Sequence, residues 1–150
     1  MQTFSSKKQD GRFHRKRDEA HYFKPKLTNH FDGDIYLLQG GYTFSAATLF
    51  VSNLKGQKNV TVVGEETGGG YYGNTALFLP TIILPNSKLR VVLPLARLVI
   101  DSTRLKNGHG IMPDVLIPPC STAIKNGVDF KMVIIKEMIA KRVLLSSTSN

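Results

Sequence analysis

The run Ile35-Tyr36-Leu37-Leu38 stops at two glycines, Gly40-Gly41, and predicts a short strand over 34–38. From Phe44 to Leu54 apolar residues fall at 46, 47, 49, 50, 51 and 54, the spacing of a helix with one face on a sheet. Lys55-Gly56 reads as its stop. Val60 to Val63 is a β-branched run of the kind buried in a parallel sheet. Strand, helix and strand in this order predict a βαβ unit. Two further strands, 76–84 and 89–93, flank Pro85-Asn86-Ser87-Lys88, a turn by composition, so an antiparallel hairpin is expected, with 95–100 extending or crossing it. Residues 129–145 predict a helix whose stripe is Val133, Ile134, Met138, Ile139 and Leu144 or Leu145, with 146–150 as a frayed tail.

Composition changes this picture only at the N-terminus. With 150 residues, 41% hydrophobic and 21% charged, the chain reads as one globular domain or part of one. Residues 1–30 hold eight Lys/Arg against three Asp/Glu, over half of the net charge of +9, and show neither apolar period. They read as a basic, poorly structured arm, which leaves 31–145 as the folded part. An arm with Phe13, Tyr22 and Phe23 among its cations could bind nucleic acid, but it carries no nucleic-acid motif and a solvated tail is the favoured reading. The single cysteine, Cys120, excludes an internal disulfide. No H-E-x-x-H or C-x-x-C spacing points to a metal, and no cofactor is expected. No run approaches the length of a membrane span, and the charged N-terminus lacks the apolar core of a secretory signal.

The candidate chemistry sits at Ser45. A serine that follows a strand and a glycine turn at a helix start lies beside unpaired N–H groups and the positive end of the helix dipole. That position suits a nucleophile and its oxyanion, with the Ala46 N–H as a donor; it equally suits a helix cap. The second strand leads into Gly64-Glu65-Glu66-Thr67-Gly68-Gly69-Gly70-Tyr71-Tyr72-Gly73-Asn74. Seven of the 13 glycines lie in this loop and the Gly40-Gly41 turn. Both follow strands of one βαβ unit, so Gly40, Gly41, Glu65, Thr67, Gly68, Gly69 and Gly70 are candidates for a peptide-binding cleft. His109, between Gly108 and Gly110, is the candidate base, with an exposed loop histidine as its plainer reading; His14, His21 and His30 lie in the arm. Asp114 reads as a turn cap.

The T-F-S-A-A context of Ser45, the G-E-x-T-G-G loop about twenty residues on, and Gly110-Ile111-Met112-Pro113-Asp114-Val115 resemble the catalytic core of the tail-specific (C-terminal processing) serine proteases over roughly 31–118. The resemblance implies an α/β fold with a Clp protease/crotonase-like core, made here of the βαβ unit, the hairpin and the C-terminal helix. It implies peptide hydrolysis through an acyl-enzyme at Ser45. One branch pairs the serine with a lysine in the glycine loop; Gly70 stands there, and no lysine occurs between Lys58 and Lys88. The loop is more similar to the tricorn-type branch, whose base is an upstream histidine aided by an acidic residue near the closing motif. Lys106-Asn107-Gly108-His109 supplies no carboxylate, and the D-L-R-x-N-x-G-G segment of the family has no counterpart. The expectation is therefore the C-terminal part of a catalytic domain. Three readings follow. The first is an active peptidase completed by an upstream segment or a homo-oligomer. The second is a non-catalytic peptide-binding remnant, and the third a nucleic-acid binder through the arm. A parent of this family would act in the periplasm or cell envelope.

Overall fold

The computed structural model describes residues 5–11, 13–15, 26 and 28–147. It forms two compact units, Met1–Asp32 and Gly33–Asn150. In the first, β1 (Ser5–Lys7) pairs antiparallel with β2 (Phe13–Arg15). Two short strands thus occur where the sequence predicts no patterned structure. Much of the predicted arm, Tyr22 and Phe23 included, lies outside the described residues, as do 148–150 of the predicted tail.

The second unit is built on the predicted βαβ. Strand β3 (Ile35–Gln39) runs parallel to β4 (Val60–Gly64), with α1 (Ala46–Leu54) between them. Register matches Leu37 to Val62 and Leu38 to Val63. Alternation sends neighbours in β4 to opposite faces. Val60 and Val62 pack with Val51 of α1 and with Ile111, while Val63 packs with Ile117 and Ile135. Both faces of β4 are therefore covered, which is why the strand is β-branched throughout.

The hairpin forms with shorter ladders than its pattern suggests. Strands β5 (Gly73–Asn74), β6 (Thr81–Ile83), β7 (Arg90–Val92) and β8 (Leu98–Val99) pair as β5 with β8 and β6 with β7, both antiparallel. Leu95 N–H donates to Phe78 O, so 95–100 extends the hairpin. The register puts Ile82, Leu84, Leu89, Val91 and Leu93 on one face of the outer ribbon. All but Val91 are exposed.

The closing motif becomes β9 (Val115–Leu116), parallel to β4, so the sheet order is β3-β4-β9. Asp114 does more than cap a turn. Its carboxylate accepts the Val62 N–H (2.8 Å) and pairs with Lys55 at the end of α1, while its own N–H donates to Val62 O (2.7 Å). Partial burial works against the charged form, yet the Lys55 hydrogen bond, the Val62 N–H and the Lys55 charge outweigh it and hold the Asp114 carboxyl below its usual range. A depressed carboxyl adds stability above the unfolded pKa of about 4 and loses it as pH falls through the folded value. Asp114→Ala is expected to cost about 1–2 kcal/mol in denaturant unfolding at pH 7, with a smaller difference from the parent at pH 3. An unchanged difference at pH 3 would mean that the charge contributes nothing.

Two helices complete the unit. The short α2 (Ser121–Lys125), unforeseen in the pattern, follows Pro118-Pro119. Helix α3 (Phe130–Ser147) starts at Asp129, which accepts the Met132 N–H (3.2 Å) as a cap. Its packing face is Phe130, Ile134 and Ile135: of the predicted stripe Ile134 packs and Met138 is half-buried, whereas Val133, Ile139, Leu144 and Leu145 are exposed. Arg142 reaches back to Asp34 (2.7 Å) ahead of β3. No helix among the described residues is long and apolar enough to cross a membrane.

Candidate active site

The parallel strands end on one side of the sheet at Gln39, Gly64 and Leu116, and the loops that follow them converge there. After β3, the chain turns tightly: Thr43 N–H donates to Gly40 O (2.8 Å) and Gly40 N–H to Thr43 Oγ1 (3.0 Å). Ser45 follows at the N-cap position of α1 with φ 51° and ψ −120°. A residue with a Cβ rarely adopts that conformation, which costs on the order of 1–3 kcal/mol. The Ser45 side chain makes no capping hydrogen bond and is exposed. The cap reading is therefore set aside: the hydroxyl stands free at the helix start. Ala46 is the first helical residue, and the first N–H groups of a helix have no acceptor within it.

The G-E-x-T-G-G loop holds this turn from the side. Gly69 N–H donates to Thr43 O (2.9 Å), and the same carbonyl accepts from Thr48 Oγ1 (3.1 Å). A Cβ on Gly69 would overlap Thr48 Oγ1, so only glycine lets the loop approach this closely. Gly68 lies against Gly41 O and the Phe44 ring, and Gly70 bridges to Gly110.

The closing motif in turn holds the loop. Thr67 Oγ1 accepts the Ile111 N–H (2.7 Å) and donates to Gly69 O (2.8 Å), and Thr67 N–H donates to Ile111 O (3.1 Å). Gly110 fits because a Cβ there would strike the Thr67 carbonyl. Gln39 ties the layers together, its Nε2 donating to Glu65 O (2.8 Å) and Ile111 O (2.6 Å).

These contacts sort the predicted site residues. Thr67 (3% exposed) and Gly69, both candidates for the cleft, are buried and brace the serine turn. Gly68 is exposed and Gly70 half-buried, both packed within the loop. Gly40, Gly41 and Glu65 line a cavity of about 530 Å³ beside the turn. Glu65 pairs there with Lys131. Glu66 Oε1 accepts the Gly110 N–H (2.7 Å) and lies 3.2 Å from His109 Nδ1, a histidine–carboxylate pair. His109 is exposed, and among the described residues no hydrogen bond joins it to Ser45. No group of three His, Cys, Asp or Glu among the described residues could hold a metal. Sequence reasoning missed Gln39, Lys131 and the cavity wall beyond β9. Only Gln39 left a signal, as the amide that closes an otherwise apolar strand.

The chain matches the sequence profile of Peptidase family S41 over residues 2–117. It belongs to peptidase family S41. The S41 match spans the serine turn, the glycine loop and the closing motif, and bears out the resemblance drawn from those residues. Among solved structures, a candidate peptidase from Parabacteroides merdae is similar at 24% identity and a TM-score of 0.60, covering 79% of this chain and 35% of that one. A lipoprotein from Streptococcus agalactiae is similar at 21% identity and a TM-score of 0.45, covering 77% and 34%. The S41 chain thus spans about a third of the length of either protein. The first likeness bears on the fold, which is α/β with a Clp/crotonase-like core. No curated protein matches the chain.

Proposed function

We propose that this chain carries the nucleophile of a serine peptidase, and that Ser45 is that nucleophile. The carrying observation is its backbone. A serine stands where the conformation asks for glycine, and its hydroxyl is not spent on the cap. Other serine hydrolases likewise present the nucleophile on a strained strand-to-helix turn. In the proposed reaction Ser45 Oγ adds to the scissile carbonyl carbon and passes its proton to a general base. Ala46 N–H donates to the oxygen that becomes negative. Collapse expels the amine, protonated by the same base, and water then releases the acyl group from Ser45.

The base is open between two sources. His109, oriented by Glu66, is the histidine–carboxylate pair of this unit. The other source is the remainder of a longer peptidase, as in the tricorn-type branch. Among the described residues no base is hydrogen-bonded to Ser45, which favours a second reading, a peptide-binding remnant without turnover. A fluorophosphonate probe separates the two. Labelling of the parent chain and loss of it in Ser45→Ala support the peptidase. Failure to label, also in a longer form of the protein, leaves the remnant.

A further inference from the structure

We propose that the cavity beside the serine turn is a side-chain subsite for a large apolar residue of a peptide, phenylalanine or leucine, and that this chain builds it with its own far wall. This rests on the peptidase reading only for the class of ligand. One side of the cavity is the Gly40–Thr43 turn that leads to Ser45. An extended peptide with its carbonyl at Ser45 Oγ therefore has a neighbouring side chain at the cavity mouth. Nothing lies within 4 Å of where a Cβ of Gly41 would sit, in contrast to Gly68 and Gly69, so the turn leaves room on this side. The opposite side comes from Pro118-Pro119, α2 and the start of α3, with Ile124, Val128 and Phe130 presenting apolar groups.

Among the lining polar side chains, Gln39 Oε1 is buried without a hydrogen-bond partner, an acceptor that offers nothing to a carboxylate. Glu65 is paired with Lys131, and Asp129 caps α3. A carboxylate entering would find the lining lysine already paired, whereas an apolar side chain would cover Ile124 (68% exposed) and Val128 (46% exposed). A volume of about 530 Å³ accommodates an aromatic side chain with part of its backbone. The wall residues from Pro118 to Lys131 lie beyond the 2–117 span shared with family S41.

Cys120, the single cysteine, is half-buried in the cavity wall and gives a readout independent of Ser45. Alkylation by N-ethylmaleimide is timed in the parent chain and in Ser45→Ala, with capped tripeptides whose central residue is Phe, Leu, Gly or Asp. The Phe and Leu peptides at millimolar concentration are expected to slow alkylation about threefold in both proteins, the slowing that two-thirds occupancy gives. The Gly and Asp peptides should leave the rate unchanged. Ile124→Trp, an exposed position that tolerates bulk, should remove the protection by filling the space. Equal effects from all four peptides, or none from Phe and Leu, overturn the subsite. Selective protection without fluorophosphonate labelling sustains the subsite and sinks the peptidase reading. Labelling without selective protection does the reverse.

Discussion

Ser45→Gly is expected to raise stability while it removes reaction with a fluorophosphonate. Ser45 holds φ 51° and ψ −120°, where its Cβ is strained by about 1–3 kcal/mol. Glycine removes the Cβ and the strain, and returns about 0.5–1 kcal/mol through its larger unfolded-state freedom. The net gain is about 1 kcal/mol, read as a higher denaturant midpoint with an unchanged slope. Ser45→Ala keeps the Cβ and therefore the strain, so its stability should stay within about 0.5 kcal/mol of the parent. Both variants lack the hydroxyl and should lose labelling completely. The opposite order, alanine stable and glycine destabilised, would show that the turn is unstrained and remove the main support for a nucleophile.

Gly110→Ala is expected to be among the most damaging single-methyl additions at the described glycines. The new Cβ would occupy the position of the Thr67 carbonyl oxygen, which is backbone and cannot rotate away. Relief requires the closing motif to shift from the glycine loop, breaking the Ile111–Thr67 and Gly110–Glu66 hydrogen bonds together. Overpacking combined with loss of a buried hydrogen-bonded network costs about 4 kcal/mol or more, a large share of the 5–15 kcal/mol that stabilises a domain. Gly108→Ala, two residues away, is the control. Its φ is +82° but nothing stands within 4 Å, so it should cost only about 1 kcal/mol. Comparable effects of the two in thermal unfolding would mean that conformation rather than contact sets the requirement for glycine.

Local pattern carried the fold where burial follows a short period. The apolar runs at 35–38 and 60–63 and the spacing of 46–54 led directly to β3, β4 and α1, and Pro85-Asn86-Ser87-Lys88 to the hairpin turn. Pattern failed where packing chose among apolar residues. Ile135, absent from the expected stripe of α3, is its most buried residue, because the helix is seated by Val63 and Ile117 rather than by its own amphipathicity. At the site, the motifs could be read but their work could not. Thr67 and Gly69 resemble parts of a cleft in one dimension; in three they are spacers that let Thr43 O, Thr48 and Ile111 approach. The partners lie tens of residues apart, so no window of sequence contains the pairing. Nor does composition encode a positive φ at a serine. The cavity wall escaped for another reason: α2 is five residues long and shows no periodicity to read.

The bracing of the serine turn also sets a schedule. Thr43 is fixed by Gly69, and the loop that carries Gly69 is fixed by Ile111 and the strand that follows it. Contacts so distant along the chain close late, after the intervening loop entropy has been overcome. Before those contacts close, nothing in this set holds Ser45 in its strained backbone. It acquires its strained, outward-facing geometry only when residues through Leu116 have joined the sheet. The nucleophile proposed at Ser45 thus depends on completed folding of the elements that brace its turn.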